Sequence, residues 1–251
     1  MHRVIQQTKR PKVLLLDVDG VILHHKHVLN KVSNNIVQYC AKELNIPFKD
    51  ALQVNQLLYS EYGHSYRGLR KVFHYQKPIH HYNTTVYNRH VIHDVLETVK
   101  DTHQYTQYMH MQKIILKCLH EDVPVYLFTN APLLWCKTVL SASGLDQFIP
   151  DENILSCDHH VMLSYDTDGF KPVYPVYETV GRYIECKERL NDPVFIFVED
   201  SFKNLIPIIR DASWLPIYLS SNTSLCSDHI ATVRDTQECA IFINGLLHNP
   251  K

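Results

Sequence analysis

Between residues 13 and 23 the chain reads VLLLDVDGVIL. Four aliphatic residues run straight into two aspartates, Asp17 and Asp19, and then a glycine, Gly20. An unbroken apolar run of this kind is the mark of a strand covered on both faces, as in a parallel sheet. On a strand, residues two apart face the same side, so the pattern aims both carboxylates at one place. Like charges that close repel each other, and tolerating them calls for a cation or a shared proton.

Four more segments read as strands: VPVYLFT (123–129), NILSC (153–157), VFIFVE (194–199) and WLPIYL (214–219). From the second onward the gaps have room for crossover helices. The spacing predicts one over 133–144, with Gly144 at its end. This is the βαβ rhythm of a doubly wound α/β sheet, Rossmann-like in architecture. Residues 25–110 break the rhythm and show helical patterns only. Ile36, Val37, Cys40, Ala41 and Leu44 form an apolar stripe with Ser33 as its N-cap. Leu52, Val54, Leu57 and Leu58 form a weaker one. Ile114, Ile115, Cys118 and Leu119 lie on the helix that leads into the second strand. The expected layout is therefore an α/β core of 1–24 and 111–251, with an all-helical cap, 25–110, inserted after the first strand. Such a cap sits over the carboxyl ends of the strands, where ligands bind in these sheets. Residues 221–251 read as a helix-containing closure of the core.

With 251 residues, 45% of them hydrophobic, the chain can bury a substantial core. It carries 25 basic and 26 acidic residues, a formal charge of −1. No global basic field exists to favour a nucleic-acid polymer, although a small anion can be held by local charges. The opening MHRVIQQTKR lacks an apolar leader core, and no stretch approaches the ~20 apolar residues of a bilayer span. The seven cysteines, Cys40, Cys118, Cys136, Cys157, Cys186, Cys226 and Cys239, form no C-x-x-C pair. They read as reduced thiols of a cytoplasmic protein. Of the 17 histidines, His24-His25-x-His27, His80-His81 and His159-His160 cluster. Without acidic partners at helical spacing they read as loop and surface residues rather than metal ligands.

The strand ends carry the chemistry. The first strand, 13–19, ends with Asp17 and Asp19, the second ends with Thr129-Asn130, Lys171-Pro172 lies in a loop or at a helix start after the third, and the fourth ends with Glu199-Asp200-Ser201. Taken singly, a D-x-D pair fits a turn, and Glu199-Asp200 fits a helix cap. Together and in this order they suit phosphoryl transfer. The acidic oxygens make a cradle for Mg²⁺, one carboxylate can attack phosphorus, the other can move protons, and Lys171 with Thr129 can hold phosphate oxygens.

This succession, strand-D-x-D-G-V, strand-T-N, K-P and strand-E-D-S, resembles the four motifs of the haloacid-dehalogenase-type (HAD) phosphohydrolases over roughly 11–24 and 111–220. The resemblance implies Asp17 as nucleophile and Asp19 as acid and base. It implies Thr129, Asn130 and Lys171 around the phosphate, and Mg²⁺ held by Asp17, the Asp19 carbonyl and Asp200, with Glu199 close by. Asp19 also distinguishes the chain from true dehalogenases, which lack a carboxylate there. Within the cap, Glu61-Tyr62-Gly63-x-x-x-Arg67-Gly68-Leu69 followed by Phe73-His74, together with LFTNA (127–131) and Asp158, is similar to the pyrimidine 5′-nucleotidase branch. Read on its own chemistry, Arg67 suits a phosphate, a sugar, a carboxylate or an interhelix ion pair with Glu61. Tyr62, Tyr66 and Phe73 suit base stacking or helix packing. The expected activity is a Mg²⁺-dependent phosphomonoesterase for pyrimidine-type nucleoside 5′-monophosphates. The alternatives are a phosphatase of another small phosphometabolite, such as a sugar phosphate or lysophospholipid, or a non-catalytic binding module.

Overall fold

In the computed structural model, which describes residues 10–164, 169–221 and 229–248, the VLLL run forms β1 (Lys12–Leu16) at the middle of a six-stranded sheet. The other strands are β2 (Val125–Phe128), β3 (Ile154–Leu155), β4 (Val194–Glu199), β5 (Trp214–Leu219) and β6 (Ala231–Val233). Their order is β3-β2-β1-β4-β5-β6, and every pair is parallel. Both faces are covered, which explains the continuous apolar run. Leu14 and Leu16 enter one core, and Val13 and Leu15 enter the other. The three-residue β6 escapes sequence reading because Ala-Thr-Val carries no apolar run. It lies in the carboxyl-terminal stretch beside the expected helix, Thr236–Leu247.

Between β1 and β2 the chain is helical: α1 (Lys26–Leu44), α2 (Phe48–Tyr62), α3 (Ser65–Phe73), α4 (Ile79–Val86), α5 (Arg89–Glu97) and α6 (Thr102–His120). α1 starts upstream of the expected cap. Val28 and Val32 extend the buried stripe backward, so Ser33 lies inside the helix. The buried face of α2 is Ala51, Asn55 and Leu58, whereas Leu52 and Leu57 face solvent. Likewise Leu119 is exposed while Ile114, Ile115 and Cys118 are buried. The boundary drawn at 110/111 falls within α6. That helix packs on the carboxyl-terminal helix beside the sheet, and no break separates its two halves.

Next come α7 (Leu133–Ser143), α8 (His160–Leu163), α9 (Tyr174–Glu188), α10 (Phe202–Leu205) and α11 (Thr236–Leu247). As expected, α7 ends on Gly144, which takes the left-handed conformation at φ 67°. The six described cysteines are unpaired. Cys226 and residues 1–9, most of the stretch read for a leader, lie outside the described residues. No helix among the described residues is long and apolar enough to cross a membrane.

Candidate active site

The sheet register sets the site. Leu16 pairs with Leu127 on one side and Val198 on the other, so β1, β2 and β4 end level. Asp17, Thr129 and Glu199 therefore emerge side by side at the carboxyl edge. The strand itself stops at Leu16, earlier than expected, so simple alternation does not place the aspartates. The chain turns tightly instead: the Ile22 and Leu23 amides both donate to Val18 O, and Gly20 N donates to Leu23 O. Gly20 sits at φ 81°, and a Cβ there would lie 1.9 Å from Asp200 Oδ2. Only glycine lets the β1 turn approach the β4 loop this closely.

Asp17, Asp19, Thr129, Asn130, Lys171, Glu199 and Asp200 all line one cleft of about 420 Å³ beneath α1 and α2. Lys171 is fully buried. Its ammonium donates to Glu199 Oε2 at 2.6 Å and Phe128 O at 2.9 Å, lies 3.1 Å from Asp17 Oδ1, and is flanked by the Phe128 and Phe197 rings. Burial acts to lower its pKa, but Asp17 and Glu199 outweigh burial and hold it above the ordinary lysine value. Asn130 grips the Lys171 backbone twice: Nδ2 donates to Lys171 O at 3.0 Å, and Oδ1 accepts from Lys171 N at 2.9 Å. Its side chain thus positions the lysine.

Burial and then Glu199 push the Asp17 carboxyl up to about 7, against the pull of Lys171 and the Thr129 hydroxyl. Asp19 is pushed up to about 6, chiefly by desolvation, while the Trp135 indole N–H, donating to Oδ1 at 2.7 Å, draws it back down. Asp200 stands at the open rim of the cleft. Partial desolvation and then Glu199 and Asp17 raise its pKa.

A hard divalent cation fits this set. Oxygens of Asp17, Glu199 and Asp200 lie within 4.8 Å of one another. Asp17 Oδ1 is buried and accepts no well-formed hydrogen bond, despite its proximity to Lys171. Glu199 is more committed. It accepts from the Ser201 amide on Oε1 and from Asn204 and Lys171 on Oε2. Asp17 and Asp200 therefore offer the more available oxygens.

The cap candidates lie elsewhere. Glu61, Tyr62 and Arg67 do not line the cleft; Arg67 lies over the Tyr62 ring and donates to Tyr62 O at 2.9 Å. Asp158 also lies outside the cleft, and its Oδ1 accepts from Leu133 N at 2.8 Å and Ser156 Oγ at 2.6 Å. It satisfies the first amide of α7. The cap wall is built by Leu29, Val32, Ser33, Asn55, Tyr59 and His64 instead. Sequence reading passed over His64, which lies between the quoted Gly63 and Arg67 without a motif of its own. Trp135 was missed too, since no sequence signal couples position 135 to Asp19. None of the three histidine clusters belongs to the carboxylate cluster.

No protein-family model matches the chain. Solved structures do. A HAD hydrolase of family IA, variant 3, from Entamoeba histolytica superposes with a TM-score of 0.56 at 13% identity, over 95% of this chain and 100% of that one. The HAD-hydrolase YfnB from Bacillus subtilis, solved bound to magnesium, gives 0.53 at 17% identity, over 94% and 100%. A haloacid dehalogenase-like hydrolase from Burkholderia xenovorans gives 0.52 at 12% identity, over 95% and 99%. The fold is that of the HAD-superfamily hydrolases.

Proposed function

We propose that this chain is a Mg²⁺-dependent phosphomonoesterase working through an aspartyl-phosphate. The observation that carries the proposal is the pairing of two differently held aspartates over a buried lysine. Asp17 keeps an oxygen without a well-formed hydrogen bond 3.1 Å from Lys171, while Asp19 is held by Trp135. In this reading an Asp17 oxygen attacks phosphorus as the bond to the leaving oxygen breaks. Asp19, in its acid form, gives its proton to that oxygen and releases an alcohol. The Asp19 carboxylate then takes a proton from water as the water attacks the phosphoryl group. Phosphate leaves and Asp17 is restored. Lys171 and Thr129 balance the negative charge spread over the phosphoryl oxygens. The oxygens of Asp17, Asp200 and the Asp19 backbone, with Glu199 beside them, would hold Mg²⁺, whose charge offsets the crowding of carboxylates. The YfnB structure, bound to magnesium on the same fold, supports that assignment.

A dehalogenase reading is weaker on chemical grounds. Halide departs without a proton, and a carboxyl with its pKa near 6 would have no task there. A non-catalytic module is weaker because every reacting side chain is retained. Among phosphate esters, nucleoside 5′-monophosphates with pyrimidine bases come first on the strength of the LFTNA resemblance alone, since Glu61, Tyr62 and Arg67 lie outside the cleft. Sugar phosphates and lysophospholipids follow. The unpaired cysteines are in keeping with a cytoplasmic setting.

The test is phosphate release from a panel of 5′-mononucleotides and sugar phosphates, with Mg²⁺ and with EDTA, beside Asp17→Asn. We expect metal-dependent release that falls at least ~10³-fold in the variant while the variant's melting curve remains cooperative. Full turnover in Asp17→Asn overturns the assignment.

A further inference from the structure

On the last turn of α2, Tyr59 stands half-exposed at the rim of the cleft, which it lines together with Asp17, Asp200 and Ser201. One turn earlier Asn55 and Gln56 line the cleft too, so α2 turns this face toward it. The phenol is directed at the carboxylates. Desolvation and then the charge of Glu199 push its pKa up to about 12, a hydrogen bond with the Ser201 side chain draws it back, and Asp200 and Asp17 add to the rise. The hydroxyl therefore keeps its proton and is an accessible, uncharged donor above a crowd of negative oxygens. Two contacts between cap and core hold it there. Lys203, just past Ser201 in the chain, donates its ammonium to Tyr59 O at 3.4 Å and to Ser60 O, at the helix end where the dipole favours a cation. Gly63, which ends α2, packs on the segment that carries the active-site lysine: a Cβ there would lie 2.2 Å from Pro172 Cδ and 2.8 Å from Lys171 O.

We infer that the Tyr59 hydroxyl donates a hydrogen bond to a non-bridging oxygen of the transferring phosphoryl group, and that Lys203 is the positioning residue that holds the phenol over the site. The inference rests on the phosphomonoesterase reading and deepens it: Lys171 and Thr129 meet the phosphoryl group from the sheet, and Tyr59 meets it from the cap. A neutral donor aimed at oxygens whose charge grows in the transition state lowers the barrier, and it does so without drawing the nearby carboxylates into an ion pair.

Tyr59→Phe keeps the ring and loses the donor. With Mg²⁺ present, we expect kcat/KM to fall about ten- to a hundredfold. The fall should be the same for a 5′-mononucleotide, a sugar phosphate and p-nitrophenyl phosphate, because the contact is to the group they share. Orthovanadate takes the five-coordinate shape of phosphorus in transfer and carries no leaving group; it should inhibit the variant about tenfold less well. Lys203→Met should cost about three- to tenfold in kcat/KM on its own and less than about twofold when added to Tyr59→Phe, since its effect runs through the phenol. Unchanged kcat/KM and unchanged vanadate inhibition in Tyr59→Phe overturn the contact. A loss confined to one leaving group, with vanadate inhibition intact, overturns it as well, because the phenol then meets the leaving group. An equal cost of Lys203→Met on both backgrounds overturns the positioning role. Each of these outcomes leaves the phosphatase reading standing. If wild-type protein with Mg²⁺ hydrolyses no phosphomonoester at all, the phosphatase reading itself is overturned, and the inference falls with it.

Discussion

Asp17 and Asp19 sit two positions apart and face different surroundings. Asp17 is crowded by Glu199 and countered by Lys171, whereas Asp19 has one directional partner, the Trp135 indole. Environments that differ in this way suit two like groups to the separate tasks of nucleophile and acid that the proposed mechanism gives them. Trp135 is fully buried and contributes one N–H to that division. Trp135→Phe keeps the bulk and loses the donor. We expect kcat to fall about tenfold while the folded state persists; unchanged steady-state kinetics would show that Asp19 needs no such support. Asp17, Asp19, Lys171 and Glu199 were legible because each follows a recognisable apolar run or motif. Trp135 was not, because its partner lies 116 positions away and only the packing of α7 against the β1 turn brings them together.

At the scale of elements, helix ends and turns do the positioning. Asp158 accepts the first amide of α7 from a separate loop, and α7 carries Trp135. The sequence-based resemblance marks Asp158 as a substrate contact, but its oxygen already serves this helix end. Asp158→Ala should therefore cost about 1 kcal/mol of stability, read as a shift in the urea midpoint, with KM for the preferred substrate changed less than about twofold. A large rise in KM without loss of stability would return Asp158 to the substrate site. The strands and α7 were legible from length, apolar continuity and Gly144. The start of α1 was not. Ser33 has the chemistry of a cap, but burial of Val28 and Val32 extends the helix past it, and tertiary packing outweighs a local preference of about 1 kcal/mol.

For the whole molecule, charge and fold are linked through pH and metal. His64 is buried neutral, its pKa lowered from 6.5 to about 3. At His64, between those values, the unfolded chain binds one more proton than the native one, so the His64 contribution to stability falls as pH drops, opposing Asp17 and Asp19, whose raised values make the native state bind protons first. The His64 contribution changes by at most about 1.4 kcal/mol per pH unit. His64→Gln should remove it, so that lowering the pH from 7 to 5 shifts the unfolding free energy of the variant further toward the native state than that of wild type, as measured by urea unfolding; an identical shift in both proteins would show that His64 carries no such contribution. On the proposed reading the carboxylate cluster acts through metal. Mg²⁺ at about 100 times its Kd should add about 2.7 kcal/mol of stability, seen as a rise in Tm that EDTA reverses and that Asp200→Asn diminishes. A Tm indifferent to Mg²⁺ would count against the cluster as a cation site.

The sequence by itself determined the parallel sheet, its helical insertion and the residues at its carboxyl edge. Continuous apolar runs and the polar residues that end them are local facts, preserved whatever the rest of the chain does. Tertiary structure alone decided what each polar group is free to do. It bound Asn130 to the Lys171 backbone, gave Asp158 to a helix end, kept Glu61, Tyr62 and Arg67 out of the cleft and set His64 within it. The physical reason is competition for partners. A side chain's chemistry is written in the sequence, but whether a neighbour has already satisfied it depends on contacts between residues far apart in the chain.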